Sequence, residues 1–400
     1  MPRLSPLTTR LPISYFESLI PDYMSYVYPF SPIITDTEVL ASITKMDTER
    51  EHAAFIYAFT AVTLDLTRSS KITSTPPSTS QITDLMRQSV EIQQPLVIGF
   101  RPSILRAMTS IFIQMCAMSL GHYDLGFFYL REAISMIQIL RISDKTVLAG
   151  LCAAERARRQ RLYWQCFIHE RFMSIVYFSP VALSPAEYPE EDTTTASVSM
   201  GIQQGWTQVI KTFCMLDASF ISHWIGDRSQ VTASWVEGKH RELDDELWEV
   251  EVSVLSELQQ ADLVITRQWM RTLLWQMAMS NCLLSSHASC PSLELEMPLR
   301  LSSQLRQFLT KISQNTIRVH GSSMVSKLLE IINTIADVVI HVPQATREET
   351  TERIDDIVFM QGVVFSFHNL QAMSKNILLD KFRLIQGRFP HIEVAMKLAV

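Results

Sequence analysis

The chain has 400 residues, of which 47% are hydrophobic and 19% charged, with a net charge of −6 at pH 7 and only 11 glycines. Such a length and apolar fraction support a large core, in one domain or two, and leave few glycines for strand turns or phosphate loops. The acidic balance argues against a broad nucleic-acid face, because phosphate neutralisation dominates duplex affinity.

Residues 1–13 read as a flexible tail without the apolar stretch of a secretory signal. A short helix is predicted from Tyr15 to Tyr28, bent at Pro21 and stopped by Pro29 and Pro32. The next runs from Thr48 to Leu66, followed by a polar surface loop from Thr67 to Ser80 that contains Pro76-Pro77. Gln81 to Gln94 and Pro102 to Leu120 follow as helices, the second with proline in its first turn and Gly121 beyond its end. Asp124 to Leu140 is amphipathic, with Leu125, Phe128, Tyr129, Met136, Ile137 and Leu140 on its apolar stripe.

A long helix from Ala153 to Phe178 then ends at Pro180. Its start is rich in arginine (156, 158, 159 and 161), and one further charge, Arg171, falls on the face of Trp164, Ile168 and Ile175. An unpaired charge in that position costs several kcal/mol, so Arg171 requires a carboxylate from a neighbouring element or a bound anion. The structural ion pair is the preferred reading and an anionic effector the alternative. For the arginines at the helix start, pairing within the chain is preferred over contact with phosphate.

A loop with Pro185, Pro189 and the run Glu190 to Thr195 precedes the remaining helices. These are predicted over Gln203 to Trp224, Gly238 to Leu284 with an interruption near Val264, Leu299 to Ile317, Ser322 to Ile340, and Glu348 to Ile385 with a break near Gly362. No segment alternates with period two, and no repeat of the solenoid kind recurs. The expected fold is all-α, about a dozen helices in a single bundle-like array. Residues 14–285 form the main domain and 286–400 a helical extension packed on the same core.

Enzyme signatures are incomplete. His169-Glu170 begins a zinc-protease H-E-x-x-H, but Met173 stands where the second histidine belongs. Neither a G-x-S-x-G nor a Walker A sequence occurs. Asp244-Asp245 and Asp355-Asp356 each begin a D-D-x-x-D of the magnesium-diphosphate kind, closed by Trp248 and Phe359 instead of a carboxylate. The six cysteines, from Cys116 to Cys290, are scattered without C-x-x-C, as expected of an intracellular protein without disulfides. The chain is expected neither to enter a membrane nor to act as an enzyme.

Three segments, in order, resemble the fungal-specific transcription factor domain, the middle homology region of Zn2Cys6 binuclear-cluster regulators. Tyr23 to Leu40 is similar to its opening aromatic helix and P-x-x-P-[IV] turn, here Pro29, Pro32 and Ile33. Tyr129-Leu130, Ala133-Ile134, Met136, Gln138 and Leu140 match its Y-L-x-x-A-I-x-M-x-Q-x-L helix. Arg158-Arg159, Arg161-Leu162-Tyr163-Trp164 and Glu170-Arg171 match its R-R-x-L-[FW]-W helix and acidic-arginine pair. The family often closes that helix with Gly-Arg-Pro, and here Pro180 alone remains of the triplet. Ala261 to Leu284 looks similar to the amylolytic and maltose-utilisation regulators in particular.

The resemblance implies a transcription regulator located in the nucleus, or shared between nucleus and cytoplasm. It would act through proteins of the transcription machinery, a full-length regulator or a small-molecule effector, with Arg171 as the candidate effector contact. The family's zinc cluster needs six thiolates close together, which these helical cysteines do not provide. Zinc would therefore enter only through a cluster encoded upstream of Met1, no other cofactor is implied, and this chain alone is not expected to bind DNA specifically. The alternative is an all-α enzyme or carrier with an apolar pocket of the prenyl type. It would require Asp244, Asp245, Asp355 and Asp356 to face one cavity.

Overall fold

The computed structural model describes residues 11–68, 77–93, 95, 98–188, 200–226, 228–244, 247–288, 290–342, 346–368 and 370–390. Among them the regular structure is helical, with one isolated bridge between Ser285 and Glu294 and no sheet. The fold is all-α. Its contacts separate two units, the first within Met1–Ala117, His122–Cys166 and Pro189–Val198, the second within Met118–Gly121, Phe167–Tyr188 and Ser199–Val400.

The predicted helix from Tyr15 to Tyr28 is broken into α1 (Ile13–Glu17), α2 (Ile20–Asp22) and a π-turn over Tyr23–Val27. Pro21, which has no N–H to give, sits in the first turn of α2. Next comes α3 (Asp36–Lys45), a helix that the proline punctuation hides. Thr35 starts it through a capping box: its hydroxyl accepts from Glu38 N at 3.4 Å, and Glu38 Oε2 accepts from Thr35 N at 2.8 Å. Thr35→Ala is expected to lower stability by about 1 kcal/mol, measured by urea denaturation.

α4 (Arg50–Thr67) is buried on all sides from Ala53 onward. Its hydroxyls remain satisfied because Thr60, Thr63 and Thr67 donate to carbonyls one turn back, at 2.8, 2.8 and 2.6 Å. α5 (Thr79–Ile92) packs along it, and Ser89 donates to Ala54 O at 2.7 Å. Phe59 meets Tyr23 at 4.9 Å between ring centroids, and Phe55 meets Phe112 of α6 (Ile104–Ser119) at 5.7 Å. This aromatic cluster anchors the first unit.

In α7 (Tyr123–Ile139) the core takes Tyr129, Leu130, Ala133, Ile134, Met136 and Ile137. Leu125 and Phe128, expected on the same stripe, are 42% and 62% exposed. Adjacent helical residues point about 100° apart, so Phe128 and Tyr129 cannot share a face. After α8 (Lys145–Ala149) comes α9 (Ala153–Tyr177). Between Gln160 and Ile175 every residue of α9 is buried except the half-buried His169. Instead of a single apolar stripe, that stretch is enclosed all round.

In the second unit, three long predicted helices are divided by caps. α10 (Met200–Cys214) and α11 (Ala218–Ile225) separate at Asp217, whose carboxylate accepts from Phe220 N at 2.7 Å. The interruption expected near Val264 lies elsewhere. α12 (Ala233–Leu243), α13 (Trp248–Ser253) and α14 (Glu257–Ser280) are distinct, and Ser256 opens α14 through a capping box with Gln259. α15 (Met297–Leu309) and α16 (Gln314–Arg318) separate at the Ser313 cap. α17 (Gly321–His341) packs against α14, against α18 (Arg347–Phe365) and against α19 (Ala372–Arg388). Gly362 lies inside α18, and the break follows at Ser366.

Candidate functional site

In the first unit, α3, the first turns of α4 and α9, the start of α6 and the end of α7 surround a cleft of about 480 Å³. Its charged lining consists of Glu38 and Lys45 on α3, Glu51 on α4, and Glu155, Arg158 and Arg159 on α9. These charges alternate in sign. Arg161 lies 3.5 Å from Glu38 Oε2, Arg158 Nε 3.8 Å from Glu38 Oε1, Arg158 also pairs with Glu155, and Arg159 Nε donates to Glu155 at 2.8 Å. The last two pairs are one-turn neighbours at i,i+3 and i,i+4, so helix geometry alone brings them together. Glu38 therefore caps α3 and binds two arginines of α9. Glu51 accepts from Ser103, the residue whose hydroxyl caps α6 by accepting from Arg106 N at 3.0 Å.

Of this set the sequence singles out Arg158 and Arg159. Glu38, Lys45, Glu51 and Ser103 were missed, although the Thr35-x-x-Glu38 spacing of a capping box was there to be read.

Further along α9, in the second unit, Arg171 is 1% exposed and Glu170 equally so. Arg171 donates to Glu170 Oε2 at 2.9 Å and to Leu183 O at 2.6 Å, and its guanidinium lies 4.1 Å from the centroid of the Phe167 ring. Glu170 in turn accepts from Ala182 N at 2.8 Å and Leu183 N at 3.0 Å. The carboxylate comes from the preceding residue of the same helix, and the segment that follows contributes the backbone groups of Ala182 and Leu183. Both charges are thus hydrogen-bonded as well as paired, the condition on which a buried ion pair can persist. Between helix and loop, Phe178 adopts φ 51°, a left-handed conformation at the end of α9 where the family pattern has glycine. Its ring stacks on Trp224, whose indole N–H donates to Ile175 O at 3.0 Å.

Trp164 is 1% exposed. Pro29 is half-buried and Pro32 buried beside the turn where Ser31 N donates to Val27 O at 3.0 Å, while Pro180 is exposed. The acidic pairs are not drawn together. Asp244 pairs with Arg271, Asp355 is exposed, and Asp356 is buried under α15, accepting from Ser302 at 3.0 Å, Ser303 at 3.1 Å and Arg306 at 2.8 Å. Asp245 lies outside the described residues. Among the described residues no group of three or more His, Cys, Asp or Glu could hold a metal ion. Nor is any described helix long and apolar enough to cross a membrane.

No family model matches the chain. It is similar to a probable sucrose utilization protein, SUC1, of Candida albicans: 22% identical over 363 residues, covering 89% of this chain and 71% of that protein. It is also similar to the respiratory transcription factor ZNF1 of Saccharomyces cerevisiae, at 21% over 286 residues, covering 70% of this chain and 58% of that one. Both of these proteins are fungal and one is named a transcription factor, at a distant level of identity.

Proposed function

We propose that this chain is the regulatory part of a fungal transcription regulator of the binuclear zinc-cluster type, working in the nucleus through partner proteins or a metabolite effector. In this reading residues 14–285 carry the regulatory domain and 286–400 extend it. DNA reading, with its zinc, belongs to another segment or to a full-length partner. The observation that carries the proposal is the likeness to a protein named a respiratory transcription factor, which extends over 70% of this chain. The motif segments support it, since Glu170 and Arg171 close on one another and on the chain that follows. The pairing of Arg158, Arg159 and Arg161 with Glu38 and Glu155 supports the absence of phosphate contact by these arginines. The relatives' names concern sucrose utilization and respiration, so we place the controlled genes in carbon and energy metabolism.

The test tethers the chain to an unrelated DNA-binding domain and measures a reporter in fungal cells grown on different carbon sources. Reporter output is expected to change with the carbon source, and the untethered chain is expected to give no gel shift with duplex DNA. A reporter indifferent to the tethered chain in every medium would overturn the proposal.

A further inference from the structure

We propose that the cleft beside Arg158 and Arg159 binds an uncharged, polyhydroxylated small molecule, a sugar or polyol. The proposal deepens the metabolite-effector part of the function given above and rests on it. What selects the ligand class is the order of the charges. Along the wall they run Glu38, Arg158, Glu155, Arg159, minus and plus in turn, with Lys45 and Glu51 adding one of each sign and the buried Arg161 pairing with Glu38. A phosphate or carboxylate entering there meets guanidinium groups already neutralised, with carboxylates beside them to repel it. A cation meets the converse. An apolar ligand would strip water from charged groups and return no hydrogen bonds. A hydroxyl donates once and accepts twice, so a string of hydroxyls can bridge carboxylate and guanidinium at each step.

Two further observations point to a ligand rather than a closed surface network. Arg158 Nε and His52 Nδ1 are buried and make no hydrogen bond, although His52 lies on the same wall and its Nε2 is 3.4 Å from Glu49. Burial lowers the pKa of His52, which favours the neutral ring, and that ring offers a donor or an acceptor according to tautomer. The cleft, at about 480 Å³, is of the size that small-molecule sites use, roughly 300–1,000 Å³.

The experiment titrates the purified chain by calorimetry with sucrose, maltose, glucose and myo-inositol, and separately with citrate and glucose 6-phosphate. We expect saturable binding of at least one of the four neutral compounds, unchanged between about 0.05 and 0.5 M salt because no net charge is neutralised. Glu155→Gln and Arg159→Lys are each expected to weaken it about tenfold, the loss of one hydrogen bond to a charged group, while Arg87→Ala on α5 leaves it intact. In the unaltered chain, the ligand is expected to slow amide exchange in α3 and the first turns of α9, a readout independent of any variant's folding. The proposal fails if none of the four binds, if only the anions bind, or if exchange in those segments is unchanged by a bound sugar. An unresponsive tethered reporter together with intact sugar binding would remove the regulatory reading and leave the site standing.

Discussion

Replacing Glu170 by leucine lowers the unfolding free energy by about 3–5 kcal/mol, the largest effect of a single substitution that we expect in this protein. The side chain accepts hydrogen bonds in a buried setting from Arg171, Ala182 N and Leu183 N. Leucine fills much of the space and strands all three donors, one of them a full charge, with the desolvation penalty of each left uncompensated. Arg171→Met costs less. It leaves Glu170 two backbone donors and strands the Leu183 carbonyl, which loses its 2.6 Å contact. The double variant recovers only part of the loss, because the backbone groups of Leu183 remain without partners. Urea denaturation of the two single variants and the double one measures this directly. An E170L variant within about 1 kcal/mol of the unaltered protein would show that the pair is dispensable.

The second large effect is loss of stability in mild acid. His169 and His240 are each held to a pKa of about 4, well below the usual 6.5. Burial is the main cause for both, reinforced by the charge of Lys327 near His169 and of Arg271 near His240. The unfolded chain takes up these protons below pH 6.5, whereas the folded one refuses them until about pH 4. Stability is therefore full above pH 6.5 and falls as the pH drops through that window, by about 3 kcal/mol per histidine at the lower end. Asp262 acts in the opposite range. Its pKa is lowered chiefly by Lys327, against its burial, so its contribution disappears only below the ordinary carboxylate range. Denaturation curves between about pH 7.5 and 4.5 should show the decline, and replacing either histidine by asparagine should flatten it. A flat profile across that window would rule out histidines held neutral by the fold.

The helical class was legible because periodicity and the scarcity of glycine both pointed the same way. The breaks were less so. Asp217, Ser256 and Ser313 stand in otherwise continuous helical patterns, and a short polar residue reads equally as a solvated position or as a cap. α3 went unassigned because Pro29 and Pro32 were given more weight than the Thr35–Glu38 spacing. Arg171 announced its need for a carboxylate, since a guanidinium on an apolar face has few solutions. The cleft was only half visible. Arg158, Arg159 and Glu155 are neighbours in the sequence, whereas Glu38 and Glu51 lie more than a hundred residues away and reach the same wall only through packing.

At its far end the Glu170–Arg171 pair grips main chain. It engages the N–H of residue 182 and both backbone groups of residue 183, which every amino acid but proline possesses in full. These hydrogen bonds therefore tie the dipeptide to the position of the following main chain and not to the identity of its side chains, although Leu183 is itself buried. For these hydrogen bonds the constraint at positions 182 and 183 is negative: a single imino acid is forbidden at either.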